Sequence, residues 1–352
     1  MKPALKFSEQ DWQDLSQNWM AWWTGELERP LVMIASPTPR RSSQELKFDF
    51  LLQKPIDDVL NYYENRLANT VLLGDAGPRW FPFYGAGVAA AFLGAELLCT
   101  PEEGTIWFEP SQALESYDLT ALYNRNNIWW QRIQQLTQAA VDRWDDRVCV
   151  GFTDLGGNLD ILASLRGSQE LLVDLMDRPE DVLIASKQIT QFWLRYYHDL
   201  LAITQKTGRG SSPWAPIWSS GSCYMLQSDF SAMISPRMFE QFVIPDIIEC
   251  CKQLDFTFYH LDGKGQLPHL DLLLALEDLH GIQWIPGDGQ PPPEDWLPIL
   301  DRIRQAGKLC QLFVSCSGAK KIIQNLGGKG FAFYITDMLT PEEAQAFLSE
   351  IS

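Results

Sequence analysis

Eight short apolar runs, each parted from the next by helical or turn-rich sequence, limit what this chain can fold into more than any other feature. They are LVMIAS (31–36), TVLLGD (70–75), VCVGFTD (148–154), a segment within WAPIWSSGSCYMLQSD (214–229), FTFYHLD (256–262), GIQWIPG (281–287), LCQLFVS (309–315) and FAFYITD (331–337). Strands buried on both faces read as continuous apolar runs, which is the pattern of a parallel sheet covered by helices. Helix-start signals fall between the runs. Ser235-Pro236 offers an N-cap followed by proline at the first helical position. Thr340-Pro341-Glu342-Glu343 adds a capping-box glutamate. Long helical patterns cover 111–143 and 179–208, and 8–27 carries an aromatic stripe of Trp12, Trp19, Trp22 and Trp23. That stripe suits a core or a homodimer contact. Eight strands alternating with helices predict a (β/α)8 TIM barrel, one domain over 1–352 with an N-terminal helical extension over 1–30. A doubly wound sheet is the alternative, but no glycine-rich phosphate loop follows the first run.

Charge narrows the function. The 352 residues carry 28 basic and 45 acidic side chains, a net charge of -17. Such a surface repels nucleic acid and anionic membranes, so neither is expected as a partner. No apolar stretch reaches the roughly 18 residues that span a bilayer. The N-terminus has no apolar leader core, and the expected location is cytoplasmic. The seven cysteines form no CxxC pair, so neither a disulfide framework nor a cysteine-rich zinc site is expected.

In a barrel, strand ends face the active site. Five runs lead to an aspartate: Asp75, Asp154, Asp229, Asp262 and Asp337. GIQWIPG leads to Asp288. Each alone suits a turn or helix cap. Together at one mouth they would repel one another unless a cation or shared proton lay among them. His260 and Asp262 are two apart on one strand and share a face, as a ligand pair or an acid–base pair would. Trp80, Tyr84, Trp218, Tyr224 and Trp284 stand near strand ends, where aromatic rings can hold a methylammonium group. Each of these rings also suits ordinary packing. Asp160 and Arg166 are spaced for a bracing ion pair, Arg166 being also a substrate-binding candidate. Lys264 in a Gly-Lys-Gly loop could approach an anionic substrate.

Several segments, in order, resemble the uroporphyrinogen decarboxylase superfamily. They are TVLLGD with YGAGVAAAFLGAEL, then VGFTDLGGNLDILASLRGSQELLVDLMDRPEDV, then LQSDFSAMISPRMFEQFVIPDI, then GIQW and TPEEAQAFL. The resemblance runs over about 65–352 and implies a (β/α)8 barrel with its site at the C-terminal mouth. Two chemistries are implied. Methyltransferases of the cobalamin and coenzyme-M type use a zinc held by His-x-Cys and a later cysteine. Decarboxylases act on tetrapyrrole acetate groups without a cofactor, through an aspartate and a set of arginines.

Carried over residue by residue, His260 stands at the zinc histidine and Asp262 replaces the first cysteine. The later cysteine falls at Thr336-Asp337, with Cys316 one strand earlier. The implied metal set is His260, Asp262 and Asp337, with Cys316 as an alternative. One imidazole with carboxylates suits manganese or iron(II), and zinc also. Asp75 stands at the decarboxylase's essential aspartate, whereas Arg40 and Arg41 in SPTPRRSSQE match its arginine motif only loosely. The first expectation is therefore a methyltransferase or demethylase acting on a small methylated or thiol substrate. Its catalytic residues would be His260, Asp262 and Asp75, with Asp154 and Asp229 lining the substrate site and a corrinoid protein as methyl partner. The alternatives are a cofactor-free decarboxylase and a non-catalytic small-molecule-binding barrel.

Overall fold

All eight apolar runs contain a strand, but one of them runs the opposite way to the rest. The computed structural model describes residues 2–37, 52–100 and 105–351. Its strands are β1 (Lys2–Pro3), β2 (Leu31–Pro37), β3 (Thr70–Gly74), β4 (Arg79–Trp80), β5 (Glu96–Thr100), β6 (Thr105–Glu109), β7 (Cys149–Val150), β8 (Cys223–Gln227), β9 (Phe256–Asp262), β10 (Gly281–Ile285), β11 (Leu309–Val314) and β12 (Phe331–Ile335). The main sheet has the order β1-β3-β2-β12-β11-β10-β9-β8. From β8 through to β2 every neighbouring pair is parallel, and β3 and β1 close that edge antiparallel. β4 and β7 form a separate parallel pair, and β5 and β6 a hairpin. The ladder is thus mixed α/β with a long parallel stretch, and a closed eight-stranded barrel is not drawn by its hydrogen bonds.

The reversal of β3 has a local cause. The helix Ile56–Ala68 ends at Asn69, and the chain re-enters the sheet with Thr70 beside Pro37, at the C-terminal end of β2. From there it can only run back along β2, so its last residues meet Met33 and Val32. Gly74 makes the final turn at φ +65, and a Cβ there would lie 2.1 Å from the Val32 carbonyl oxygen. The strand that does run parallel in this region, β4, lies in PRWFPFYG, where flanking prolines hide it from a search for apolar runs.

Strand alternation splits the core in two. One sheet face packs against the helices through Tyr224, Tyr259, Leu261, Ile282, Trp284, Leu312 and Phe333. The inner face carries Leu31, Met33, Met225, Phe258, Leu309 and Ala332. The helix Glu9–Trp23 covers the N-terminal end of this inner face. Ser8 caps it, accepting from the Asp11 backbone while Asp11 accepts in return. Its tryptophans are core residues of this chain. Trp22 stacks on Phe258 at 5.6 Å between ring centres, and Trp23 packs edge-on to the same ring at 5.4 Å. Trp19 Nε1 donates to the Asp75 carbonyl and Trp23 Nε1 to that of Trp218. The N-terminal segment is therefore a plug built into the fold, and its aromatic face is not open to a second copy.

Candidate metal centre

The alternation of β9 puts Phe256, Phe258, His260 and Asp262 on the inner face. Neighbouring strands then set what surrounds His260. Gln227 of β8 and Gln283 of β10 are its register partners, and Gln311 of β11 lies beside Gln283. Three glutamines thus cross the apolar interior at the level of the histidine, and Gln283 and Gln311 are fully buried.

These amides fix the histidine's proton. Gln311 Nε2 donates to the Leu312 carbonyl at 3.1 Å, and a carbonyl can only accept. The Gln311 oxygen therefore faces Gln283, whose Nε2 donates to it. The Gln283 oxygen is left facing His260 Nδ1. Nδ1 must carry the proton, and Nε2 keeps a lone pair. Burial lowers the His260 pKa, which favours this neutral form. Trp214 braces the ring from the side, 5.0 Å away at an interplanar angle of 79°.

Ligand-capable atoms of Asp229, His260 and Asp262 all lie within 4.8 Å of one another. Asp229 comes from the 3-10 turn Asp229–Met233, just after β8. Asp160 holds that turn. Its carboxylate accepts from the Asp229 N–H at 3.1 Å, the Phe230 N–H at 2.7 Å and the Gly157 N–H at 3.3 Å. Desolvation and the charge of Asp262 push the Asp229 carboxyl up to about 6, against a hydrogen bond from Gln266. Burial, then Asp229, raise Asp160 to about 7. Asp154, almost fully buried, is pushed up to about 8, mainly by burial, although the Gly156 N–H at 2.9 Å helps its charged form. Beside Asp262 a cavity of ≈ 470 Å³ opens along Ile285, Gly287, Asp288 and Pro291.

Asp337 and Cys316 do not join the cluster. Asp337 accepts from the Cys316 backbone N–H at 2.5 Å, at the start of the helix Cys316–Leu326, where unpaired N–H groups need an acceptor. Burial and Asp337 push the Cys316 thiol up to about 12, far from the thiolate a metal would need. Asp229 takes the third place instead.

Asp75 lies at the other end of the sheet, carried there by the reversed β3. Arg29 grips its carboxylate at 2.7 and 2.9 Å, Asn18 donates at 3.0 Å and the Val32 N–H at 2.9 Å. All its acceptor capacity is spent on holding β2 and the N-terminal helix together. Arg166 pairs with Asp174 at 2.7 Å and not with Asp160, which is committed to the Asp229 turn. Lys264 is exposed at the start of the 3-10 helix Lys264–His269.

The five aromatics do not form a cage. Trp80 packs on Trp144 and Tyr63, and Trp284 on Trp296, among the helices. Tyr84 is bonded by Arg132. The Tyr224 hydroxyl bridges the Thr153 carbonyl and the Leu155 N–H, and Trp218 supports the N-terminal plug. The ring that does touch His260, Trp214, lies before β8 and has no strand-end signature. Arg40 and Arg41 lie outside the described residues.

No protein-family model matches the sequence, and no curated protein matches it. Among solved structures the chain is similar to a methyltransferase from Methanosarcina mazei, at 14% identity and a TM-score of 0.56. The alignment covers 95% of this chain and 97% of that one. The two share a fold over nearly their whole lengths, at an identity too low to carry residue roles.

Proposed function

We propose that this protein is a methyltransferase that acts on a small methylated or thiol-bearing substrate, with a divalent cation held by His260, Asp262 and Asp229. The observation that carries this reading is the cluster itself. One imidazole, set in its neutral form by the glutamine chain, converges with two carboxylates at the end of a parallel strand, on a fold shared with a methyltransferase. We read the six parallel strands of the ladder, with the separate parallel pair β4 and β7, as parts of one (β/α)8 wall of the uroporphyrinogen decarboxylase type.

The residues fit a cation on three counts. Their donor atoms are close enough to share one ion, which sits roughly 2.0–2.2 Å from nitrogen and oxygen ligands. The donor set suits zinc, manganese or iron(II). The second layer, Gln283 and Gln311, fixes the ligand tautomer as supporting residues do around metal-binding histidines. When bound, the cation would act as a Lewis acid toward the substrate thiol or leaving group. His260 offers Nε2, held in place by the amide chain and by Trp214. Asp262 faces the cavity through which a small substrate would enter. Asp229 supplies the second carboxylate, held in place by the turn that Asp160 fixes. The methyl group would come from, or go to, a corrinoid on a partner protein.

The decarboxylase reading asks Asp75 to act on the substrate, but both its carboxylate oxygens are already taken by Arg29, Asn18 and Val32, at the end of the sheet opposite His260. Metal analysis of protein prepared without chelators tests the proposal. We expect close to one zinc, manganese or iron per chain, lost in His260→Ala and strongly reduced in Asp229→Asn. A metal-free protein that gains no thermal stability from any of these cations would end this reading.

A further inference from the structure

Arg79 opens β4 with a charge that no carboxylate among the described residues neutralises. Its Nε donates to Ser212 Oγ at 3.0 Å, and Nη2 donates to the carbonyls of Pro213 at 2.6 Å and Ala215 at 2.8 Å. Phe81 lies against the guanidinium, 5.3 Å from ring centre to Cζ. Three neutral acceptors and a ring hold the side chain in one place. Among the described residues Nη1 has no hydrogen bond and Arg79 no ion pair. Burial lowers its pKa, so the neutral acceptors compensate the charge only in part. Arg29 shows the contrast, since its guanidinium is paired with Asp75.

The unpaired charge borders a cavity. A space of ≈ 380 Å³ lies along the inner face between β3 and β4, walled by Met33, Ala35, Leu72, Phe81, Ile217 and Tyr334 beside Arg79. Asp75 also borders it, but that carboxylate already belongs to Arg29. Arg66, exposed at the rim, adds a second positive charge on the way in. A concave, largely apolar cavity with one fixed polar anchor is the usual form of a small-molecule site. A guanidinium fixed in advance loses little entropy on pairing, and its planar N–H groups suit a carboxylate.

We propose that this cavity is a second binding site, for a small organic acid whose carboxylate pairs with Arg79 and whose apolar or aromatic body lies between Met33, Phe81 and Tyr334. The site is separate from the metal cluster and does not depend on it. The two nevertheless share one segment: Trp214, which packs on His260, lies between the two residues whose carbonyls hold Arg79.

Calorimetric titration of the full chain at fixed ionic strength tests this with matched probes, benzoate against benzamide and phenylacetate against phenylacetamide. We expect each acid to bind at least tenfold tighter than its amide. Arg79→Gln should bring the acid down to the level of the amide. Ala35→Phe, which puts a ring into the cavity and leaves the Arg79 side chain in place, should abolish binding of both. His260→Ala should keep the acid site, so failure of the metal reading leaves this one standing. Equal binding of acid and amide overturns the proposal, as does undiminished binding in Arg79→Gln. Chloride or phosphate competing as well as benzoate would mean a simple anion contact and would overturn the organic-acid assignment. If Arg79→Gln does not fold, Ala35→Phe decides alone, and acid binding that survives it sinks the proposal.

Discussion

Asp75 and Asp154 both follow apolar runs, and their surroundings give them opposite characters. Asp75 meets a guanidinium, an amide and a backbone N–H, so its charge is used. In Asp75→Asn, Arg29 would lose its counter-ion at a partly buried site, at a cost of about 2–4 kcal/mol. Urea unfolding should show this loss while metal content stays unchanged, because the cluster is at the other end of the sheet. An unchanged stability would remove the structural role assigned to Asp75. Asp154 meets no cation among the described residues. Its folded-state pKa is about 8, raised above the usual carboxylate value first by burial and also by Asp229 and Asp160. A raised acid opposes folding once the unfolded chain ionises, so its penalty grows from about pH 4 and levels off above pH 8. Asp154→Asn keeps the acceptor for Gly156 and removes the charge. Its Tm relative to wild type should therefore rise between pH 5 and pH 8. A difference that falls over that range would contradict the assignment.

At the scale of elements, the apolar pattern showed where strands lie but not which way they run. β9 is the clearest case. FTFYHLD alternates so that His260 and Asp262 share a face, and the structure puts both on the inner side. The partners came from register, which no single segment encodes. Gln283 and Gln311 were visible as polar residues in the middle of buried runs, and that is a signal for a buried network. Spacing along the helix pairs Asp160 with Arg166, because it says nothing of the turn across the sheet that Asp160 holds. β3 was read as parallel because a five-residue apolar strand looks the same in either direction. The N-terminal helix gives the prediction at this scale. Trp22 is almost fully buried against Phe258 and Trp23, so Trp22→Ala should cost about 3–5 kcal/mol. Circular dichroism melts would check this, and a loss under about 1 kcal/mol would mean that the helix is not a plug.

For the molecule as a whole, no helix among the described residues is long and apolar enough to cross a membrane. The net charge of -17 belongs to a chain whose inner face carries both an acidic cluster and a guanidinium without a carboxylate partner among the described residues. The acidic cluster around His260 would attract a cation. The unpaired guanidinium of Arg79 would attract an anion. The sequence by itself determined the α/β class, the positions of most strands and the pairing of His260 with Asp262, because these depend on residue type and a two-residue period. Tertiary structure alone decided that Asp229 completes the cluster, that Asp75 faces the other end and that Arg79 lacks a counter-ion. Those outcomes depend on strand direction and register, which bring together residues tens of positions apart and leave no trace in local pattern.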